Sequence, residues 1–191
     1  PEQQTGLTLL LATYLFAIQI YCDFSGYSDI AIGAAKTMGF DLMENFKTPY
    51  ISKNIKEFWT RWHVSLSTWF KDYLYIPLGG NRVKISRMMI NLMIVFVVSG
   101  IWHGANWNFL IWGFLHGLYL ILAIQKDKAL KSLNIPSNTI TNTLNMFVTF
   151  HLVVFAWIFF RATSFADATT IIKLITQTKF GIQPLIHSLD V

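Results

Sequence analysis

Four long apolar runs, separated by polar or basic segments, form the main pattern along this chain. They cover about residues 6–21, 88–101, 106–124 and 144–160, and the second and third contain no Lys, Arg, Asp or Glu. Lipid offers no hydrogen bonds to exposed peptide groups, so runs of this kind are typical of membrane-spanning helices. The pattern predicts an all-α, multi-pass helical membrane protein with spans at these four places.

The polar segments between the runs predict further elements. Directly after the first run, the sequence YCDFSGYSD predicts a broken helix, with Asp29 capping the helix that restarts at Ile30. A polar stretch containing Pro136 and Ser137 precedes the fourth run. Beyond that run, apolar residues at helical spacing predict a packing helix over 164–176 with Ser164 as its N-cap.

Residues 52–76 show an amphipathic pattern. Its aromatic and apolar positions recur at steps of three and four, namely Trp59, Trp62, Leu66, Trp69 and Tyr73. This spacing predicts one interfacial helix with His63 at the edge of its aromatic face.

Composition and charge agree with a membrane protein. Hydrophobic residues make up 53% of the 191 residues, charged residues only 13%, and the mean hydropathy is +0.45. The net charge of +5 comes from basic residues in the connections at 36–87 and 126–131, which the positive-inside rule places in the cytoplasm. This distribution does not indicate nucleic-acid binding. The single cysteine, Cys22, excludes an internal disulfide, and no spacing suggests a metal site.

His103 is the strongest candidate for chemistry. It lies in SGIWHGANWN, between two apolar runs, where an ionisable side chain is costly and therefore suggests a function. A neutral imidazole there can take a proton from a hydroxyl, while Gly100 and Gly104 leave space and Trp102 keeps out water. The alternative is a structural histidine at a helix end, bonded to a backbone carbonyl.

Other polar residues are weaker candidates. His63 either lines a site or only bridges apolar and wet surroundings. His116 is expected to be structural and to pair with a polar group of another helix, and His151 either packs in the same way or lines a cavity. Asp23 can orient an imidazole or hold a positive group. The candidate supporting residues are Asp23, Trp102, Gly104 and Asn106.

Four segments together resemble the membrane-bound O-acyltransferase family, in particular its alginate O-acetyltransferase-like branch. They are YCDFSGYSDIAIGAAKTMGF, NFKTPYISKNIKEFWTRWHVSLSTWFKDYLYIPLGGNR, SGIWHGANWNFLIWGFLHG and VFAWIFFRA. The resemblance implies a helical fold with a tunnel and acyl transfer to a hydroxyl at its centre. It also implies that His103 is the principal catalytic residue and that His63 lines the same site.

The resemblance further implies a bacterial inner-membrane enzyme without a bound cofactor. Its donor would be acetyl-CoA or another acyl thioester, and its partners a cell-surface polysaccharide or a secreted acetyl-transfer protein. Family members are usually more than twice this long, so residues 1–191 are expected to form one partial domain. Two alternatives remain open: a transporter or channel subunit with an intramembrane His/Asp path, and an inactive truncated remnant.

Overall fold

The computed structural model describes residues 4–134 and 138–178, and all the regular structure in those ranges is helical. The all-α class is therefore confirmed. The predicted connection at Pro136 and Ser137 lies outside the described residues. Within these two ranges the α-helices are α1 (Gly6–Thr37), α2 (Ile55–Arg61), α3 (Val64–Phe70), α4 (Ile85–His103), α5 (Trp107–Ser132), α6 (Thr139–Arg161) and α7 (Phe165–Gln177).

Four helices, α1, α4, α5 and α6, are long and apolar enough to cross a membrane. Each continues beyond the apolar run predicted from the sequence, because polar residues at the end of a run do not stop a helix. α1 extends without a break to Thr37, so the predicted break after the first run is wrong. The Ser25 hydroxyl donates to the Cys22 carbonyl of its own helix, which accommodates the polar side chain without interrupting the helix.

α4 and α5 form a closely packed helical hairpin. Gly100 of α4 faces the Phe109 carbonyl of α5, and Gly113 of α5 faces the Phe96 carbonyl of α4. At each glycine the backbone of the facing helix occupies the space that a larger residue's Cβ would need. Small residues permit this close approach between apolar helices. The connection is only three residues long, and the Asn106 side chain caps α5 by accepting from the Asn108 amide.

The segment between α1 and α4 packs back against the long helices. A 3₁₀ turn, Pro49–Ile51, brings the Tyr50 hydroxyl to the Ala17 carbonyl of α1, to which it donates at 2.6 Å. Phe58 and Trp62 are buried and stacked, with ring centroids 5.6 Å apart, and Trp62 also packs against Trp157 of α6. An aromatic core therefore joins this segment to α1, α5 and α6.

The single amphipathic helix predicted for residues 52–76 is not formed. α2 ends at Arg61, Trp62 is extended, and His63 adopts the left-handed conformation with φ 45° and ψ 54° before α3 begins. Trp62 is 3% exposed, whereas Trp69 is 52% exposed, so the aromatic residues do not share one face. A π-helical turn, Lys71–Tyr75, follows α3.

The helix breaks here because a distant segment takes its amides. The amide of Val64 donates to the main-chain carbonyl of Asn45, and the amide of Ser65 donates to the Asn45 side chain. On the other side of the break, the Lys47 amide donates to the Arg61 carbonyl. These bonds replace the intrahelical ones, and periodicity alone does not reveal them.

The final helix, α7, packs against α1 and α6. Its predicted N-cap is confirmed, since the Ser164 hydroxyl accepts from the Asp167 amide at 3.1 Å. The Asp167 carboxylate accepts in turn from the hydroxyls of Thr163 and Ser164.

Candidate active site

His63 and His103 line the same cavity, which has a volume of about 580 Å³. One wall is a face of α1, including Asp23, and the opposite wall comes from the α2–α3 junction and the end of α4. The complete lining consists of Phe16, Gln19, Ile20, Asp23, Phe24, Tyr27, His63, Trp102, His103 and Phe160. Two histidines that are 40 positions apart in the sequence therefore face one largely apolar space.

His103 is the last residue of α4 and lies among aromatic rings. The centroids of Trp102 and Trp112 lie 5.0 Å from that of the imidazole, and the centroid of Phe160 lies 5.2 Å from it. Within the described ranges no group hydrogen-bonds to this ring, so the bond to a backbone carbonyl that a structural histidine would make is not seen. Its nitrogens remain available to a reactant in the cavity.

His63 is held from the side by polar groups. Its Nδ1 lies 3.3 Å from Asn45 Oδ1, and the ring of Phe24 meets the imidazole edge-on at 4.7 Å. Burial, with a smaller contribution from the nearby His103, lowers the pKa of His63 to about 4. At neutral pH the imidazole is therefore uncharged and can accept a proton.

The structure brings only part of the predicted supporting set to this cavity. Asp23 and Trp102 line it, whereas Gly104 and Asn106 line a separate space of about 170 Å³ at the α4–α5 turn. The Gly104 amide donates to the Ile101 carbonyl and is not free to stabilise an oxyanion. The Asn106 side chain caps α5 and donates to the Thr163 carbonyl, so both of its polar atoms are already hydrogen-bonded.

The other described histidines lie elsewhere. His116 is fully buried among aromatic rings, and in the described part of the chain its ring nitrogens have no hydrogen-bond partner, so the polar contact expected from another helix is not observed. His151 Nδ1 lies 2.7 Å from the Phe147 carbonyl of its own helix. Neither lines the cavity of His63 and His103.

Two further cavities adjoin the central one along α1. The first, of about 370 Å³, shares Phe24, Tyr27 and His63 with it and reaches Asp41. The second, of about 510 Å³, shares Phe16 and Gln19 with it, and it is bordered by polar and charged residues at the ends of α6 and α7, namely Arg161, Thr163 and Asp167. The central cavity therefore has a neighbouring cavity on each of two sides.

The sequence did not identify Asn45, Ser65 or Phe160 as site residues. Asn45 and Ser65 contact His63 through bonds between distant segments, and Phe160 belongs to an apolar run in which every aromatic residue looks alike. The only sequence signal for Asn45 is its place at the beginning of the second of the four segments that carry the resemblance, which starts NFKTPYISKN. Among residues 4–134 and 138–178, no group of His, Cys, Asp or Glu side chains is arranged to hold a metal ion.

Comparison with known proteins places this geometry in context. The family model of MBOAT, the membrane-bound O-acyltransferase family, matches residues 2–165. The chain is 49% identical to the probable alginate O-acetylase of Pseudomonas aeruginosa over 152 residues, which are 80% of the chain and 28% of that protein.

Two further relatives act on other polymers, according to their names. The chain is 44% identical to the peptidoglycan O-acetyltransferase of Helicobacter pylori over 175 residues, covering 90% of the chain and 33% of that protein. It is 36% identical to the teichoic acid D-alanyltransferase of Bacillus subtilis over 166 residues, covering 82% of the chain and 42% of that protein. The chain thus spans less than half the length of each of these relatives.

Proposed function

Because the chain belongs to the membrane-bound O-acyltransferase family, we propose that it carries the acyl-transfer site of a multi-pass enzyme that acylates a hydroxyl of a cell-surface polysaccharide. The observation that carries this proposal is the meeting of His63 and His103 in one cavity. A histidine within hydrogen-bond reach of a hydroxyl is the usual general base for acyl transfer at neutral pH. The two named relatives with the higher identity, an alginate O-acetylase and a peptidoglycan O-acetyltransferase, support acetyl as the acyl group, whereas the third carries D-alanyl in its name.

In the proposed reaction, His103 takes the proton of the acceptor hydroxyl while the hydroxyl oxygen attacks the carbonyl carbon of an acyl thioester. The new C–O bond forms, the C–S bond breaks, and His103 returns the proton to the departing thiolate sulfur. In a second form of the step, a nitrogen of His103 attacks the thioester carbonyl, so that a C–N bond forms, the C–S bond breaks and the thiolate leaves. The acceptor hydroxyl then attacks the acyl group, the C–N bond breaks, and the hydroxyl proton passes to the freed imidazole. His63, uncharged at neutral pH, positions a reactant in either form.

The charge pattern supports a direction for the transfer. The basic connections that follow α1 and α5 favour a cytoplasmic position for those helix ends, which supports assigning the cavity near Asp41 to the donor. α6 begins after the basic connection that follows α5 and ends at Arg161. On this scheme the cavity near Arg161 therefore belongs to the acceptor side of a bacterial inner membrane. The donor on this scheme is acetyl-CoA or another acyl thioester. The acceptor is a polysaccharide or a secreted protein that passes the acetyl group on.

The test uses the complete gene product that contains this chain, reconstituted in liposomes with thioester donor labelled in its acetyl group. Wild-type protein should move label from the donor to an added polysaccharide, and His103→Ala should lower the initial rate of this transfer by about 10²–10⁴-fold, the usual contribution of a general base. His151→Ala is the matched control, because His151 lies in a long apolar helix but outside the cavity. It should keep wild-type turnover.

Two outcomes would contradict the proposal. Full transfer by His103→Ala would remove this residue from the chemistry. A protein that inserts normally, conducts protons or solute across the liposome and consumes no labelled donor would support a transporter, which the line of cavities along α1 also accommodates.

A further inference from the structure

The backbone of His63 is in a conformation that non-glycine residues rarely adopt. Its φ of 45° and ψ of 54° lie in the left-handed region, at the break between α2 and α3. Strained backbone of this kind persists only where the surrounding contacts determine it, and such contacts are often found at functional sites. The residue that supplies most of these contacts is Asn45.

Asn45 binds both the backbone and the side chains around His63. Its main-chain carbonyl accepts from the Val64 amide at 3.1 Å. Its side-chain oxygen accepts from the amide and the hydroxyl of Ser65, each at 3.1 Å, and lies 3.3 Å from His63 Nδ1. Its side-chain nitrogen donates to the hydroxyl of Ser28, a buried residue of α1, at 3.3 Å.

These bonds fix which atom of the Asn45 amide faces the histidine. The Ser65 amide can only donate, so it requires the oxygen of Asn45, and a flipped side chain would set two N–H groups against each other. An amide oxygen cannot donate, so the contact with His63 is attractive only when Nδ1 carries the proton. The other neighbour of Nδ1, the Ser65 hydroxyl at 3.4 Å, already donates to Asn45 and can accept from Nδ1–H.

We propose that Asn45 is a positioning residue of the acyl-transfer site, which holds His63 as the Nδ1–H tautomer and leaves Nε2 as its proton acceptor. This inference rests on the proposed function and deepens it, because it assigns His63 a definite protonation pattern. The second ring nitrogen of a histidine is set by the hydrogen bond that the first one makes. Asn45 acts through His63: its side chain borders the cavity near Asp41 but not the central cavity that His63 shares with His103.

Other ionisable groups near His63 bear on its titration. Asp23 and Tyr27 of α1, Asp41 of the following segment and His103 of α4 line the two cavities that His63 borders. Replacing Asn45 by Asp keeps an acceptor for Nδ1–H and adds a negative charge at about 3 Å, which favours the charged imidazolium. Replacing it by Ala removes the acceptor and leaves the tautomer unselected.

The first measurement is independent of catalysis. The complete gene product, labelled with ¹⁵N-histidine and held in liposomes, gives the His63 signals by difference from the His63→Asn variant. Wild-type protein should show protonated Nδ1 and unprotonated Nε2, and Asn45→Asp should keep this pattern. Asn45→Ala should show a mixture of both tautomers. A wild-type signal from the Nε2–H tautomer, or an unchanged pattern in Asn45→Ala, would overturn the inference.

The second measurement is the pH profile of labelled acetyl transfer. Asn45→Ala should lower kcat by about tenfold with little change in KM, which is the population effect of losing one hydrogen bond of ordinary strength. Asn45→Asp should retain more activity, and the acid limb of its profile should move to higher pH. If Asn45→Ala does not fold, the Asn45→Asp profile still decides, since an unmoved acid limb contradicts the inference.

Asn145→Ala is the matched control for the loss of an asparagine amide. Asn145 lies on α6 outside the cavities at His63, and its side chain accepts from Lys126. It should leave both the tautomer and the pH profile unchanged. If the tautomer result holds while no variant or wild-type protein transfers acetyl, the proposed function fails and the positioning of His63 by Asn45 stands.

Discussion

Gly100→Ala should disturb the site although it touches neither histidine. Gly100 is buried in the α4–α5 hairpin, and a methyl group there would meet the Phe109 carbonyl and the Cα of Leu110. These are backbone atoms of the facing helix, which no side-chain rotation can move away. The two helices must separate before Ala fits.

The size of the effect follows from the kind of atom that is met. Overpacking of a well-packed interior costs about 1–3 kcal/mol, and a clash with backbone belongs in the upper part of that range. Ala also gains about 1 kcal/mol in helix propensity over Gly, so we expect a net loss of about 1–2 kcal/mol of stability. Because Gly100 lies three residues before His103, the imidazole shifts with α4, and a misplacement of about 1 Å can lower a catalysed rate by about 100-fold.

Gly117→Ala provides the matched control on the same pair of helices. A methyl group at Gly117 would lie 3.0 Å from Met93 Sδ and 3.2 Å from Phe96 Cβ, so its closest neighbour is a flexible thioether. The gain in helix propensity from Gly to Ala, about 1 kcal/mol, offsets much of this smaller strain. Gly117→Ala should therefore be close to the wild type in stability and transfer.

The assay is unfolding of both variants in detergent micelles with increasing fractions of sodium dodecyl sulfate, followed by acetyl transfer in liposomes. Gly100→Ala should unfold at a clearly lower fraction and transfer acetyl slowly, while Gly117→Ala should follow the wild type. Equal behaviour of the two variants would refute the reasoning, because only the facing backbone distinguishes them.

Two further predictions concern the segment between α1 and α4. Folded His63 has a pKa of about 4 and unfolded histidine one of about 6.5, so only the unfolded chain takes up this proton as the pH falls between those values. As the pH falls from about 6.5 to about 4, the free energy of unfolding of the wild type should therefore decrease relative to that of His63→Asn, and above pH 6.5 the difference between the two should stay constant. A constant difference over the whole pH range would contradict the lowered pKa. Tyr50→Phe should destabilise the fold by about 1 kcal/mol, since it removes the 2.6 Å hydrogen bond to the Ala17 carbonyl. An unchanged unfolding midpoint in detergent would show that this bond does not hold the 3₁₀ turn against α1.

Hydropathy predicted the helical class because the signal is local. A long run without charge is expensive in any setting except lipid or a large core, so the apolar runs mark helices directly. The same logic singled out His103, which stands between two charge-free runs. It failed in α1, where Ser25 bonds within the helix and Gly26 is tolerated, so that polar residues do not end it.

Tertiary hydrogen bonds explain what the sequence did not predict. The break at His63 depends on amides of Val64 and Ser65 that bond to Asn45, about 20 residues earlier in the chain. Periodicity reports which face of a helix is apolar but not which distant carbonyl competes for its amides. For the same reason, Asn106 looked like a site residue beside His103, although its side chain is used to cap α5 and to reach Thr163.

A double-variant cycle tests most directly whether His63 and His103 serve one reaction. Initial rates of labelled acetyl transfer are measured for the wild type, His63→Asn, His103→Ala and the variant that carries both changes. Residues that act as a unit give strongly non-additive losses, so the double variant should be no slower than His103→Ala alone. A loss equal to the product of the two single losses would contradict the account, because it would show that the two histidines contribute independently.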